Sequence, residues 1–200
     1  MKLVVFGFSL LAALTAPVLS GTARADAVQT LRKTVVTVEA PLAVPLSEPL
    51  RDRFGLGAMP SISATLPVGK WLMLGLRLRG GMLTNGSAPS DPGIRDPGMG
   101  GLLAVGGVAR FRPLPGRQDG SHTLGPWIEA GVGPGITGMN VRATGEVALG
   151  WNFREGNWVF GPSARYLQVI QPSDQLDSSD AKVALFGFEI AVRDPQAPPP

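Results

Sequence analysis

The chain has 200 residues, with 18 basic and 15 acidic side chains, 27 glycines, 19 prolines and no cysteine. A formal net charge of +3 is too balanced for a nucleic-acid-binding protein, which needs a basic face against the phosphates. The absence of cysteine excludes both a disulfide framework and an acylated lipobox thiol. Such a length fits one domain.

The first 25 residues predict a secretory signal peptide. Lys2 provides a positive start, residues 3–18 are mostly apolar, and Ala23-Arg24-Ala25 has the A-x-A form of a cleavage site. We expect cleavage between Ala25 and Asp26. Since the removed segment holds two basic residues and no acidic one, the mature chain keeps 16 basic against 15 acidic side chains.

Eight later segments alternate between apolar and polar side chains, a period of two that is typical of β-strands. No segment after the signal shows a sustained 3.6-residue apolar stripe, so helices are poorly supported. The strands are predicted at 34–46, 53–66, 71–83, 101–112, 126–136, 140–153, 158–170 and 181–193. The intervening residues 47–52, 84–100, 137–140 and 171–180 are predicted loops.

The third strand shows the alternation most clearly. Leu74, Leu76 and Leu78 alternate with Gly75, Arg77 and Arg79, so one face is apolar and the other is charged. In a soluble sheet the apolar face would form the core and the charged face would be solvated. In an outer-membrane barrel the apolar face meets lipid and the charged face lines the lumen.

The charged residues within the strands, away from the strand ends, all fall opposite the apolar face. An arginine or lysine facing lipid at the bilayer midplane would cost roughly 2–4 kcal/mol. Side chains fill the lumen of an eight-stranded barrel, and charges buried there must pair. The alternation therefore predicts a charge network in the lumen, formed by Glu39, Arg77, Arg79, Arg110, Glu129, Arg142, Glu146, Arg165 and Glu189.

The four tryptophans fall near the same end of the predicted barrel. If the first strand starts in the periplasm, that end is the periplasmic one, and an aromatic rim at the membrane interface is expected there. The alternation turns Trp151 and Trp158 towards lipid but Trp71 and Trp127 towards the lumen. The alternative is that tryptophans cap a β core. The predicted interfacial rim consists of Trp71, Trp127, Trp151 and Trp158.

The segments GWNFREGNWVFGPSARYLQVIQPSD and DAKVALFGFEIAV carry a resemblance to a known family. They resemble the closing half of OmpA-like outer-membrane β-barrels of the kind found in myxobacterial-type envelopes, over roughly residues 125–193. The resemblance implies outer-membrane lipid as surroundings and the barrel-assembly machinery as a partner during biogenesis. Residues 187–192 match part of the signal that this machinery reads. In such proteins a Pro-rich linker often leads to a peptidoglycan-binding domain, so the resemblance implies peptidoglycan as a partner only through a domain beyond these residues.

Features that bear on other functions are sparse. His122 is the only histidine, so no multi-histidine metal site is expected, and Ser121-His122 is a chance neighbour pair. The glycines at 131, 133 and 135 are interpreted as easing strand curvature or lumen crowding, because no helix follows them as in a phosphate loop. We expect no cofactor, no metal and no enzymatic activity. Five prolines within strands argue against a regular barrel.

The combined prediction is an all-β, eight-stranded antiparallel up-and-down transmembrane barrel. It comprises a signal peptide (1–25), the barrel (26–193) and a Pro-rich periplasmic linker (194–200). The expected function is a non-enzymatic anchor in the outer membrane, with a charge-plugged lumen or at most a narrow pore. A soluble periplasmic β-barrel that binds a small apolar ligand is the main alternative, and a barrel enzyme acting on lipid is a third.

Overall fold

The computed structural model describes residues 34–68, 70–86, 98–113, 123–156, 158–171 and 180–193. The predicted signal peptide 1–25, the cleavage site between Ala25 and Asp26, His122 and the linker 194–200 lie outside the described residues.

The described residues form ten strands and one short helix. In chain order they are β1 (Val35–Glu39), β2 (Leu42–Pro45), α1 (Glu48–Arg53), β3 (Phe54–Ala58), β4 (Ser61–Pro67), β5 (Leu72–Asn85), β6 (Gly100–Phe111), β7 (Thr123–Thr137), β8 (Asn140–Glu155), β9 (Trp158–Val169) and β10 (Ala181–Arg193).

These ten segments build a closed antiparallel barrel of eight barrel strands, two of which are divided. β1 and β2 continue one another as the first barrel strand, and β3 and β4 form the second. The barrel closes where β1 and β2 pair with β10, in a register that sets Val35 opposite Arg193. The predicted all-β, eight-stranded up-and-down architecture is confirmed.

The barrel has two distinguishable ends. The end that holds Val35 and Arg193 is here named the terminal end, and the end that holds α1 is named the helix end. A strand of 12 residues such as β6 spans about 30 Å at the tilt usual for such barrels. Among the described residues, no helix is long and apolar enough to cross a membrane.

Prolines explain why the first two barrel strands are each divided in two. Pro41 lies between β1 and β2, and Pro60 lies between β3 and β4. Both keep their carbonyl groups in use, since Met59 N–H donates to Pro41 O over 3.2 Å and Gly80 N–H donates to Pro60 O over 3.0 Å. A proline lacks only the donor, so each break costs the sheet little more than one hydrogen bond.

Prolines at two further sites coincide with interrupted pairing. The β6–β7 ladder skips the residues opposite Pro134, and the β8–β9 ladder skips those opposite Pro162. A glycine precedes each proline, and the backbones approach closely there. A Cβ on Gly161 would lie 1.7 Å from Trp151 O. The barrel thus accommodates its prolines through local breaks.

Helix α1 was not predicted, because residues 47–52 read as a loop. Six residues are too few for a helical apolar period to be visible in the sequence. The residues at its two ends nevertheless favour a helix, with Ser47 at the N-cap position, Glu48 in the first turn and basic residues in the last turn. The side chain of Leu50 packs against the interior of the barrel.

Successive side chains on each strand face opposite sides of the wall. On β5, Leu76 is 66% exposed and Arg77 is 4% exposed. The outer surface is apolar on every barrel strand, as at Leu74, Ile128 and Phe188. The predicted direction of each face is therefore the one observed.

Two layers of the interior bear on the candidate site. The layer nearer the helix end, here named the apolar layer, consists of Ala43, Met59, Leu83, Leu102, Ala104, Leu167, Val169, Val183 and Leu185. Leu50 and Phe54 pack against it from the helix end. The layer nearer the middle is charged and is the candidate site.

Candidate functional site

Eight buried ionised side chains form a layer across the barrel, here named the charge layer. Four strands supply one glutamate each, and β5, β6 and β9 supply four arginines. Each of these side chains is at most 10% exposed, and the four positive charges balance the four negative ones. The members are Glu39, Arg77, Arg79, Arg110, Glu129, Glu146, Arg165 and Glu189.

Glu129 on β7 contacts three of the four arginines. Arg110 Nε donates to its Oε2 over 2.9 Å, and Arg165 Nη1 donates to its Oε1 over 2.7 Å. Arg77 Nη1 also donates to Oε1. These three charge-assisted hydrogen bonds offset the desolvation cost of burying the Glu129 carboxylate.

Glu39 on β1 combines two ion pairs with two hydroxyl donors. Its Oε2 lies 3.1 Å from Arg79 Nη2 and 3.3 Å from Arg165 Nη2. Ser163 Oγ donates to Oε1 over 2.7 Å, and Ser61 Oγ donates to Oε2 over 3.2 Å. The first barrel strand is thereby connected to β4, β5 and β9 through one side chain.

Arg110 links the charge layer to the terminal end of the barrel. Its two terminal nitrogens donate to Glu189 as a two-bonded pair, over 2.9 Å and 2.8 Å. Its guanidinium carbon also lies 3.9 Å from the ring centre of Trp127, in cation–π geometry. Trp127 Nε1 in turn donates to Asn152 Oδ1 over 2.9 Å.

Glu146 completes the layer on β8. It pairs with Arg77, with Arg165 Nη1 at 3.1 Å and with Arg79 Nη2 at 3.4 Å. A Cβ on Gly131 would lie 3.0 Å from both Cγ and Oε1 of Glu146. The interpretation that this glycine relieves lumen crowding agrees with that geometry.

Two residues assigned from the sequence lie elsewhere. Arg142 is on the inward face of β8, but the described contacts do not join it to the charge layer. It lies four residues from Glu146 towards the helix end, about 13 Å along the strand, which exceeds the reach of the ion pairs. Placing Arg142 in the network was therefore wrong.

Trp127 is not part of an interfacial rim. It is only 1% exposed and points into the barrel, where Arg110 and Asn152 hold it. The other three tryptophans are outward and between 42% and 54% exposed. Trp71 precedes β5 and packs edge-on against the outward Phe111, with ring centres 6.5 Å apart, so its expected lumen-facing direction was also wrong.

Three polar residues of this interior were not singled out from the sequence. Ser61, Ser163 and Asn152 sit at inward positions of their strands, and each makes a hydrogen bond to a charged or aromatic partner. Their inward direction was readable from the alternation. Their partners were not, because those lie on strands remote in sequence. Among the described residues, no cluster of three or more potential metal ligands occurs.

Comparisons with solved structures find outer-membrane proteins to which this chain is similar. The structure of Neisserial surface protein A (NspA) superposes with a TM-score of 0.56 at 16% identity, covering 80% of this chain and 97% of that one. The outer membrane protein OprG from Pseudomonas aeruginosa gives a TM-score of 0.47 at 10% identity, covering 80% of this chain and 96% of that one. No family model matches the chain, and no curated protein matches it either.

The chain has the fold of an eight-stranded outer-membrane barrel. The likeness to NspA extends over almost the whole of that protein, so it concerns the complete barrel and not one hairpin. At such low identity the likeness establishes the fold alone. The role of this barrel must therefore be argued from its own outer surface and interior.

Proposed function

We propose that this barrel resides in the outer membrane as a non-conducting structural anchor of the envelope. The observation that carries the proposal is the reversal of faces on each strand. Apolar side chains such as Leu76 and Phe188 are 66% and 65% exposed on the outside, while arginines and glutamates pair inside. Acyl chains are the surroundings in which such a surface is stable.

The occupied lumen supports the absence of conduction. The charge layer crosses the lumen, because Arg110 on β6 pairs with Glu189 on β10 and Arg77 on β5 pairs with Glu146 on β8. Directly above it lie the side chains of the apolar layer, and Arg79 Nη1 joins the two layers by donating to Met59 O over 2.8 Å. An ion would have to separate paired charges and then cross an apolar constriction.

Orientation and partners follow as further parts of the proposal. The three outward tryptophans lie near the terminal end, which suits the periplasmic interface, so the helix end would face the exterior. Outer-membrane lipid would surround the wall, and the barrel-assembly machinery would read residues 187–192 during insertion. Peptidoglycan would be reached only through a further domain.

The soluble alternative requires the reverse arrangement. A soluble barrel that binds an apolar ligand would place polar residues outside and an apolar cavity inside. The observed outer wall is apolar, and the middle of the described interior is filled by ion pairs. The structure therefore favours the membrane barrel over the soluble one.

Membrane fractionation combined with heat-modifiable gel migration tests the proposal. We expect the mature chain in the outer-membrane fraction, with a folded band that shifts on boiling. Glu129→Leu should weaken the folded band in detergent because it leaves three arginines without their shared carboxylate. Glu48→Leu, which removes an exposed carboxylate on α1, is the matched control. Recovery of the chain in the aqueous periplasmic extract would contradict the proposal.

A further inference from the structure

Arg142 occupies a position in the barrel that the charge layer leaves unused. It is on the inward face of β8, partly buried, near the mouth of the barrel at the helix end. Thr144 lies between it and Glu146 on the same face, and its hydroxyl is already committed to Gly133 O over 2.8 Å. Arg142 is thus a cation at the mouth whose role the anchor function does not explain.

The layers beneath Arg142 do not compensate its charge. The charge layer is neutral by itself, with four arginines and four glutamates paired to one another. Val169 of the apolar layer pairs with Thr144, the next inward residue from Arg142 towards the charge layer. A guanidinium above an apolar, neutral floor attracts an anion more strongly than one in open water, because the local dielectric constant is lower.

Thr137 on β7 provides a second donor close to Arg142. Its Oγ1 is buried and has no hydrogen-bond partner among the described residues. Gly135 pairs directly with Arg142 across the β7–β8 ladder, and Thr137 is two residues further along β7. Such diagonal neighbours are within reach of a long side chain, and Gly135 places no side chain between them. A buried hydroxyl without a partner is unfavourable unless a bound group satisfies it.

We propose that Arg142 and Thr137 form a binding site for a small soluble oxyanion at the mouth of the barrel. Phosphate, sulfate or a carboxylate group would accept from the guanidinium fork and from the threonine hydroxyl. Arginine matches the geometry of these oxyanions and stays charged at any physiological pH. Both side chains face the lumen and not the bilayer, so the ligand enters from solution through the mouth.

Titration with inorganic phosphate, followed by NMR of the barrel in zwitterionic micelles at constant ionic strength, tests this site. We expect saturable shifts of the Arg142 Nε–Hε signal and of the Thr137 amide. Arg142→Gln should weaken phosphate binding by about tenfold or more, the equivalent of one charge-assisted hydrogen bond. Thr137→Val should weaken it severalfold, and Arg142→Lys should retain part of it. Heat-modifiable migration establishes that each variant is folded.

Arg154→Gln is the control variant, because Arg154 is exposed at the terminal end and should leave the titration unchanged. Shifts that stay linear with phosphate, or that persist in Arg142→Gln, would overturn the proposal. So would a signal of Arg142 that ignores phosphate but moves in Asp91→Asn or Asp96→Asn, two changes in the predicted loop 84–100, since the arginine would then pair with an acidic residue of that loop. Micelles containing phosphatidic acid, without free phosphate, should give no shift. If they reproduce it, the ligand is a lipid head group.

Discussion

At the residue scale, Glu129 shows how a buried charge becomes tolerable in this barrel. Its two oxygens receive donors from β5, β6 and β9, so no single ion pair carries the burial. A pair of isolated buried charges often gains little over an apolar pair, because desolvation offsets the attraction. Removing one member of an established network is a different matter, because the remaining charges keep their desolvation cost.

Glu129→Gln should lower the free energy of unfolding by about 3–5 kcal/mol, the usual cost of breaking a buried pair. Three arginines would then share a neutral amide in place of a carboxylate. Urea unfolding of the barrel refolded in lipid vesicles measures the change. Asp52→Asn, an exposed acid-to-amide change on α1, should stay within about 0.5 kcal/mol. A similar effect of both variants would contradict the described role of the charge layer.

Trp127 is a buried anchor and not a membrane-facing aromatic. Its ring stacks on Arg110 at 3.9 Å, and its indole N–H donates to Asn152. Trp127→Ala should therefore cost about 3–5 kcal/mol of stability. Trp158→Ala, at an outward position that is 54% exposed, should cost clearly less. The same urea experiment compares the two, and equal losses would argue against the inward placement.

At the element scale, the glycines of β7 and β8 differ in how much space surrounds them. A Cβ on Gly133 would lie 2.1 Å from Val105 O and 2.4 Å from Gly106 Cα, both backbone atoms of β6. A Cβ on Gly145 of the neighbouring β8 would meet nothing within 4 Å. The close approach of β6 and β7 thus depends on Gly133, where the ladder skips Pro134.

Gly133→Ala should destabilise the barrel by about 1–3 kcal/mol or more, because backbone atoms and not a flexible side chain must move. Gly145→Ala is the matched control and should be neutral or slightly stabilising, since alanine reduces the freedom of the unfolded chain. Folding yield and urea midpoint in vesicles measure both. A tolerated Gly133→Ala would show that the two strands are not held so closely.

Asp180, which directly precedes β10, is hydrogen-bonded to residues at the end of β9 and just after it. Gln171 N–H donates to Asp180 Oδ1 over 3.0 Å, the Gln168 amide donates to Oδ2, and together they hold the pKa of Asp180 below its ordinary value. A lowered pKa means that the ionised carboxylate stabilises the fold above the unfolded-state pKa. That contribution is lost as the pH falls through the folded-state pKa.

The urea midpoint of the wild type should therefore exceed that of Asp180→Asn at neutral pH, and the difference should shrink below about pH 4. The two proteins differ only at residue 180, so the difference between their urea midpoints isolates Asp180. A difference in urea midpoint that grows towards acid pH would contradict a stabilising role of the ionised Asp180 carboxylate.

At the scale of the whole molecule, the architecture was predictable because a β-strand has a period of two. That period determined which face each charge would take, as Arg77 and Arg79 illustrate. It did not determine height along the barrel. Arg142 has the predicted direction but lies above the charge layer, and Trp127 lies just inside the end where a rim was expected. Pairing partners such as Arg110 and Glu189, 79 residues apart, depend on a closure that local patterns do not encode.

The filled interior predicts that the intact barrel does not conduct. In a planar bilayer with molar salt we expect no stable single-channel steps, because the charge layer and the apolar layer both close the lumen. Glu129→Gln should not produce steps either, as the apolar layer remains in place. Reproducible unit conductance from the folded wild type would contradict the non-conducting role.

The ion pairs of Glu39 are completed only when the barrel closes. Glu39 on the first strand finds Ser163 and Arg165 only after the last strands arrive, more than 120 residues later. Until then, an open sheet entering the bilayer would present unmatched arginines and glutamates to hydrocarbon. A sheet shifted by one residue would turn those groups outward altogether. The eight charges therefore favour the closed barrel in its observed register, since only that arrangement pairs all of them inside.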